Sequence, residues 1–282
     1  RRLVAAKRRA EETVESLLNL YVRRKDVTRT PFPADPELET VFLKGFPYND
    51  TEDQSSAWLE ISEDLSGFVP MDRLLCGDVG FGKTEIAMRA SFRCVLSGRR
   101  VIVLAPTTIL ANQLYDSFSE RMDSHAVTVE VVSRFRTKKD VLLVKEKICS
   151  GNNDILVGTH AVLNENIYLK NIGLLVVDEE HRFGVRQKEL IKSFKESLDV
   201  LSMSATPIPR SMNLALSGLY SISLLQTPPI MRMPIITRVE FYDDVIIKEA
   251  VRFELDRGGQ VFFVHNNIKN IELVGRNLKK IF

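Results

Sequence analysis

At 282 residues the chain has room for one large or two modest domains, and its 44% hydrophobic content is ample for a buried core. Its formal net charge of only +2 excludes a globally basic field, so any nucleic-acid site must be a local patch. Cys76, Cys94 and Cys149 show no paired spacing, which argues against a disulfide frame or a zinc site and for buried, reduced thiols in a cytoplasmic protein.

No apolar run approaches the roughly 20 residues that span a bilayer, and no signal peptide opens the chain. Residues 1–25 read as one amphipathic connecting helix, because Leu3, Ala10, Val14, Leu17 and Tyr21 recur at helical spacing among charged residues. Arg1 and Arg2 would oppose the dipole of a helix that began there, and the chain opens without Met; a piece of a longer protein is therefore expected. Pro31, Pro33 and Pro36 break the periodicity, so residues 26–45 read as a linker.

A first domain is expected over 46–231. Short apolar strands at 73–76, 101–105, 127–132, 155–157, 174–177 and 200–203 alternate with helices beginning near Lys83, Thr108, Lys138 and Val185. That alternation predicts an α/β fold, a parallel sheet with helices on both faces. Thr227-Pro228-Pro229 and Pro234 mark a second boundary. Beyond it, strand (237–242), helix (244–256), strand (260–264) and helix (269–281) read as the opening part of a second α/β domain over 232–282.

Gly77-Asp78-Val79-Gly80-Phe81-Gly82-Lys83-Thr84 fits G-x-x-x-x-G-K-[ST] between a strand and a helix, the context a phosphate-binding loop requires. Glycines let backbone N–H groups converge on phosphate oxygens, and the following helix turns its positive end to the same charge. Lys83 would reach the β- and γ-phosphates and the Thr84 hydroxyl would hold Mg²⁺. The apolar strand 174–177 runs into Asp178-Glu179-Glu180-His181. Asp178 would hold the metal ion through water, and Glu179 would orient or deprotonate the attacking water. His181 either links this site to motion or caps the turn. Ser204-Ala205-Thr206 ends another apolar strand; it either passes hydrogen bonds when the γ-phosphate leaves or is a Ser/Thr turn before Pro207.

Upstream, Gln54 offers a donor and an acceptor suited to adenine's edge, with Phe46 nearby to stack on the ring; the alternative is a helix capped by Thr51. Thr107, the pair Arg134 and Arg136, and Thr159 all follow predicted strands. In a parallel sheet those ends share one edge, where they suit phosphate contacts along a nucleic-acid strand or, equally, helix caps.

The ordered set GDVGFGKT, APTTILANQ, SRFRT, VGTH, DEEHRFGVRQKE and SATPIPR resembles the superfamily 2 helicases, and within them the bacterial transcription-repair coupling factors. The RecG-type branch-migration helicases share DE-x-HRFGV-x-Q and SATPIPR. Phe81, Glu180, the run Glu85-Ile86-Ala87-Met88-Arg89-Ala90 and the segment from Phe46 to Gln54 lean toward the coupling factors.

The resemblance implies a RecA-like P-loop motor domain that binds ATP and Mg²⁺ and translocates on double-stranded DNA. It also implies action on stalled RNA polymerase and on excision-repair proteins through modules outside these residues. By motif, Lys83, Asp178, Glu179 and His181 become catalytic, Ser204, Ala205 and Thr206 coupling residues, and Thr107, Arg134, Arg136 and Thr159 DNA contacts. The segment 260–266 resembles the first motif of a second motor domain, whose arginine finger is not among these residues, so little hydrolysis is expected from the 282 residues alone. Two other classes stay open: a P-loop kinase or GTPase-like switch, disfavoured by the water-activating acid, and a nucleotide-regulated interaction module docking through residues 1–25.

Overall fold

The computed structural model describes residues 27–132, 138–164, 170–205, 221–229 and 235–282. The helix expected over 1–25, together with Arg134, Arg136 and Thr206, lies outside them. The chain divides into two compact units, one running to Arg232 and the other Met233–Phe282.

Among the described residues the first unit holds seven strands: β1 (Asp72–Gly77), β2 (Arg100–Leu104), β3 (Val129–Val132), β4 (Ile155–Gly158), β5 (Ile172–Asp178), β6 (Asp199–Ser204) and β7 (Ser221–Leu225). All pairings are parallel, in the order β3-β4-β2-β5-β6-β1-β7. The helices of this unit are α1 (Pro36–Lys44), α2 (Glu52–Ser66), α3 (Lys83–Leu96), α4 (Thr108–Met122), α5 (Lys138–Cys149) and α6 (Val185–Phe194).

The central strands β2, β4 and β5 are almost wholly apolar because both faces are covered. Val101 and Val103 join a core with Ile61, Ile86, Ala90 and Phe118 from α2, α3 and α4. The alternate residues Ile102 and Leu104 join a second core with Val144, Ile148 and Ile191 from α5 and α6. This two-residue alternation between two buried layers produces the continuous Val/Ile/Leu runs seen in the sequence. The α/β fold expected from those runs is the fold observed.

Helices at Lys83, Thr108, Lys138 and Val185 start where the sequence pattern places them. Other elements depart from it. Within the expected linker 26–45, Pro36–Lys44 is helical: Asp35 accepts a hydrogen bond from Leu38 N at 3.0 Å, and Pro36 sits in the first turn, where a missing N–H costs nothing. Thr51 and Gln54 form a capping box that opens α2. Strand β7 pairs with β1 at the sheet's edge and was not visible as an apolar run. Cys76 and Cys94 are buried as expected, whereas Cys149 is exposed.

The second unit contains α7 (Asp244–Asp256), capped by Asp243 on Val245 N at 2.7 Å, and α8 (Ile271–Ile281). The strands expected at 237–242 and 260–264 are not formed among the described residues. A strand is a pairing state, and these segments have no ladder neighbour; Phe241 is 97% exposed.

Strand β6 is anchored at its start by a buried charge. Asp199, fully buried, accepts from Met71 N at 2.7 Å and from Arg29 Nη2 at 2.9 Å. Asp199→Ala would strand both donors, Arg29 as an uncompensated charge, so a loss of about 3 kcal/mol is expected in urea unfolding. Asp199→Asn, which keeps an acceptor, is expected to lose less.

Candidate nucleotide site and sheet edge

Because every strand is parallel, every C-terminal end lies on one edge of the sheet, the edge where ligands gather in such folds. Strand order then divides that edge. The phosphate-loop and acidic residues leave β1, β6 and β5, three neighbouring strands, while Thr107 and Thr159 follow β2 and β4 on the other half.

The loop after β1 turns on two glycines in the left-handed region, Gly80 and Gly82, both at φ 82°. A side chain at either would be strained, and a Cβ on Gly82 would fall 2.3 Å from Gln54 Nε2. Asp78 and Val79 form the exposed tip, where Asp78 Oδ1 accepts from Val79 N at 2.8 Å. Phe81 turns inward instead: its ring is buried in the core and anchors the loop. Thr84 follows in the first turn of α3.

Lys83 Nζ donates to Gly77 O at 2.5 Å and Asp78 O at 3.0 Å, so its amine lies within the loop. Burial lowers its pKa, opposed by the nearby carboxylates of Glu179 and Asp178. An anion entering the loop would compete for that amine and favour its charged form.

Asp178 and Glu179 end β5, one strand removed from the loop. Burial, then repulsion from Glu179, pushes Asp178 up to about 6, with Lys83 acting against both. Glu179 adopts the left-handed region at φ 50° although it is not glycine. Its Oε1 accepts from Ala205 N at 3.1 Å, joining the acidic turn to the residue that follows β6, whose last residue, Ser204, is buried. Its Oε2 is buried without a hydrogen bond, with His181 Nδ1 3.1 Å away. Two adjacent carboxylates with one orphaned oxygen and one raised pKa fit a divalent cation, which would relieve both.

Glu180 has a different task, missed in the sequence. Its Oε2 accepts from Ser202 Oγ at 2.7 Å and Lys195 Nζ at 3.2 Å, and Lys195 also reaches Asp72 at 3.4 Å. Burial would raise the Glu180 carboxyl, but Lys195 and Ser202 outweigh it and hold it below its ordinary value. This cluster fixes the acidic turn against β6 and β1. Its partners lie far apart in sequence, and only strand order brings them together.

At the other end of the loop Gln54 is 3% exposed. Its Oε1 accepts from Thr51 N at 2.9 Å and its Nε2 donates to Phe81 O at 2.9 Å. The helix-cap alternative is thus present. Phe46 packs edge-on to Tyr48 and under the Arg89 guanidinium, 5.4 Å from the ring centre in each case. Arg89 also grips Asp50 through two hydrogen bonds of 2.7 and 2.9 Å and Glu85 at 3.0 Å, tying this aromatic segment to α3. The Glu85–Arg89 spacing of four was a visible signal; Asp50 was not.

Thr107 is exposed and caps α4, accepting from Leu110 N at 3.3 Å. Thr159 accepts from Val162 N through its carbonyl at 3.0 Å. Gly158 before it is packed so that a Cβ would meet Val132 O at 2.9 Å.

Asp178 yields a pH-dependent expectation. Its folded pKa, about 6, lies above the ordinary carboxylate value of 3.8, so the metal-free folded chain holds the extra proton between those limits. Ionised Asp178 therefore costs stability, fully above about pH 6 and hardly at all near pH 4 and below. Asp178→Asn is expected to raise the thermal midpoint in EDTA at about pH 7.5, with the gain largely gone by about pH 4.

Comparison with known proteins identifies the family. Residues 51–214 match the DEAD/DEAH box helicase model. The chain is 46% identical over 266 residues to the transcription-repair-coupling factor of Borreliella burgdorferi, covering 94% of this chain and 24% of that protein. It is 42% identical over 276 residues to that of Escherichia coli, covering 98% and 24%. It thus spans about a quarter of the length of these relatives. Among solved structures, RecG bound to a three-way DNA junction aligns with a TM-score of 0.77 and 32% identity, over 94% of this chain and 37% of that one. No helix among the described residues is long and apolar enough to cross a membrane. With a family model spanning more than half its length and a phosphate loop facing an acidic strand end, the chain belongs to the nucleotide-binding DEAD/DEAH box helicase family.

Proposed function

We propose that this chain is the first RecA-like motor domain, 46–231, with the opening of a second, 232–282, of an ATP-dependent translocase on double-stranded DNA. The motor would displace stalled RNA polymerase and couple transcription to nucleotide excision repair in the cytoplasm. Contacts with the polymerase and repair proteins are assigned to the three quarters of the relatives that this chain does not span.

One observation carries the reading: the neighbouring strands β1, β6 and β5 bring Lys83, Ala205 and the Asp178–Glu179 pair to one stretch of edge, with Glu179 bonded to Ala205 N. Residues 77–84 would hold the triphosphate of ATP, with Lys83 moving from the loop carbonyls to the phosphate oxygens. Phe46 and Gln54 would face the base. Mg²⁺, held by Thr84 and Asp178, would supply neutralisation of phosphate charge when bound. Glu179 would orient the water, with His181 beside its free oxygen. Loss of the γ-phosphate would then be felt at Ser204, Ala205 and Thr206 through the Glu179–Ala205 bond. Thr107, Arg134, Arg136 and Thr159 are the proposed DNA-backbone contacts. Turnover by the 282 residues alone would be slow without a facing arginine finger.

The RecG alignment favours one alternative, a branch-migration helicase, while the 42–46% identities favour the coupling factors. Filter binding separates them. The 282-residue chain is expected to retain linear duplex DNA more tightly with a non-hydrolysable ATP analogue and Mg²⁺ than without. Log affinity should fall linearly with log salt as counterions return to the phosphates. A strong preference for a three-way junction would favour the RecG reading. No DNA retention in either state would overturn the motor.

A further inference from the structure

The first turn of α2 holds two neighbouring side chains that serve different parts of the molecule. Gln54 reaches the phosphate loop through Phe81 O and fills the space a Gly82 side chain would need, so the contact has no slack. Asp53, one residue earlier and about 100° around the helix, points to the chain leaving β7. Its Oδ2 accepts from Gln226 N at 2.8 Å and Thr227 N at 2.6 Å. These are the first two residues after that strand.

The loop touches β7 at its other end as well. Gly77 lies in register with Leu225, and a Cβ on Gly77 would stand 2.8 Å from Leu225 Cβ and 3.2 Å from its carbonyl oxygen. The contacts therefore close a ring, from the start of the phosphate loop through Leu225, Gln226 and Thr227 to Asp53, across the capped turn to Gln54, and back to Phe81 and Gly82. The Thr51 capping box keeps that turn rigid. In sequence Thr227 is followed by Pro228 and Pro229, each with a fixed φ, before the second unit.

We propose that Asp53 is the positioning residue that carries a change in the phosphate loop to the chain entering the second unit. The proposal rests on the reading that residues 77–84 bind a nucleotide. A phosphate entering the loop draws on its backbone N–H groups and on Lys83, which shifts Phe81 O, Gln54 and the turn that holds Asp53. The two bonds to 226 and 227 then lengthen or shorten with occupancy. Because Asp53 is only partly shielded from water, these bonds can be exchanged for hydration, as a reversible link requires. The same two bonds hold the Asp53 carboxyl below its ordinary value, Thr227 N–H contributing most and Gln226 N–H next.

Residue-resolved amide hydrogen exchange on the 282-residue chain reads the link directly, alongside calorimetric titration of Mg²⁺ and a non-hydrolysable ATP analogue. In the wild type, saturating analogue is expected to change exchange at Gln226 and Thr227 at least about fivefold, with Leu201 in mid-sheet unmoved. In Asp53→Ala both amides are expected to exchange about tenfold faster and to ignore the analogue, while analogue affinity stays within about threefold. Asp53→Asn keeps an acceptor oxygen and is expected to retain part of the response; it also serves if the alanine variant does not fold. An undiminished response in both variants would overturn the proposal, as would a silent wild type that binds the analogue. A wild type that binds no analogue would overturn the nucleotide reading and this proposal with it.

Discussion

Everything in the site depends on the parallel register of one sheet. Parallel pairing forces each strand to begin on one edge and end on the other, so the seven described strands deliver their following loops to a single line. The chain can scatter its functional residues over more than a hundred positions, from Gly77 to Ala205, and still assemble them. The cost is that both faces must be buried, which the two alternating cores satisfy with the helices α2 to α6.

The same burial tunes the chemistry. Lys83 and Asp178 lie in a partly desolvated space, each shifted toward its neutral form and each restrained by the other. Lys83 rests on the loop carbonyls, and the buried Glu179 Oε2 has His181 Nδ1 3.1 Å away. Glu180, adjacent but held ionised by Lys195 and a hydrogen bond from Ser202, shows how a neighbouring acid is committed to structure instead.

Legibility in the sequence followed the range of the physics. The phosphate loop was readable because its backbone turns demand glycine at Gly80 and Gly82 locally. Helix starts at Lys83, Thr108, Lys138 and Val185 were readable from periodicity. Strand β7 was not, since Ser221-Ile222-Ser223-Leu224-Leu225 alternates polar and apolar residues and gains its place from β1. The segments 237–242 and 260–264 showed the converse failure: strand propensity without a neighbour makes no strand. The division of the edge into a nucleotide half and a half carrying Thr107 and Thr159 needed the strand order, which no local pattern encodes. The contacts of Asp53 and Asp50 were silent for the same reason, because their partners lie far along the chain.

The central claim is that the loop 77–84 and the acidic end of β5 together form a nucleotide site in which Lys83 grips phosphate. Calorimetric titration of Mg²⁺ with a non-hydrolysable ATP analogue into the wild-type chain and Lys83→Ala tests it most directly. One site is expected in the wild type, weakened about 10- to 100-fold in the variant, the value of a hydrogen bond to a charged partner. Equal affinity in the two proteins, or no binding to the wild type, would contradict it.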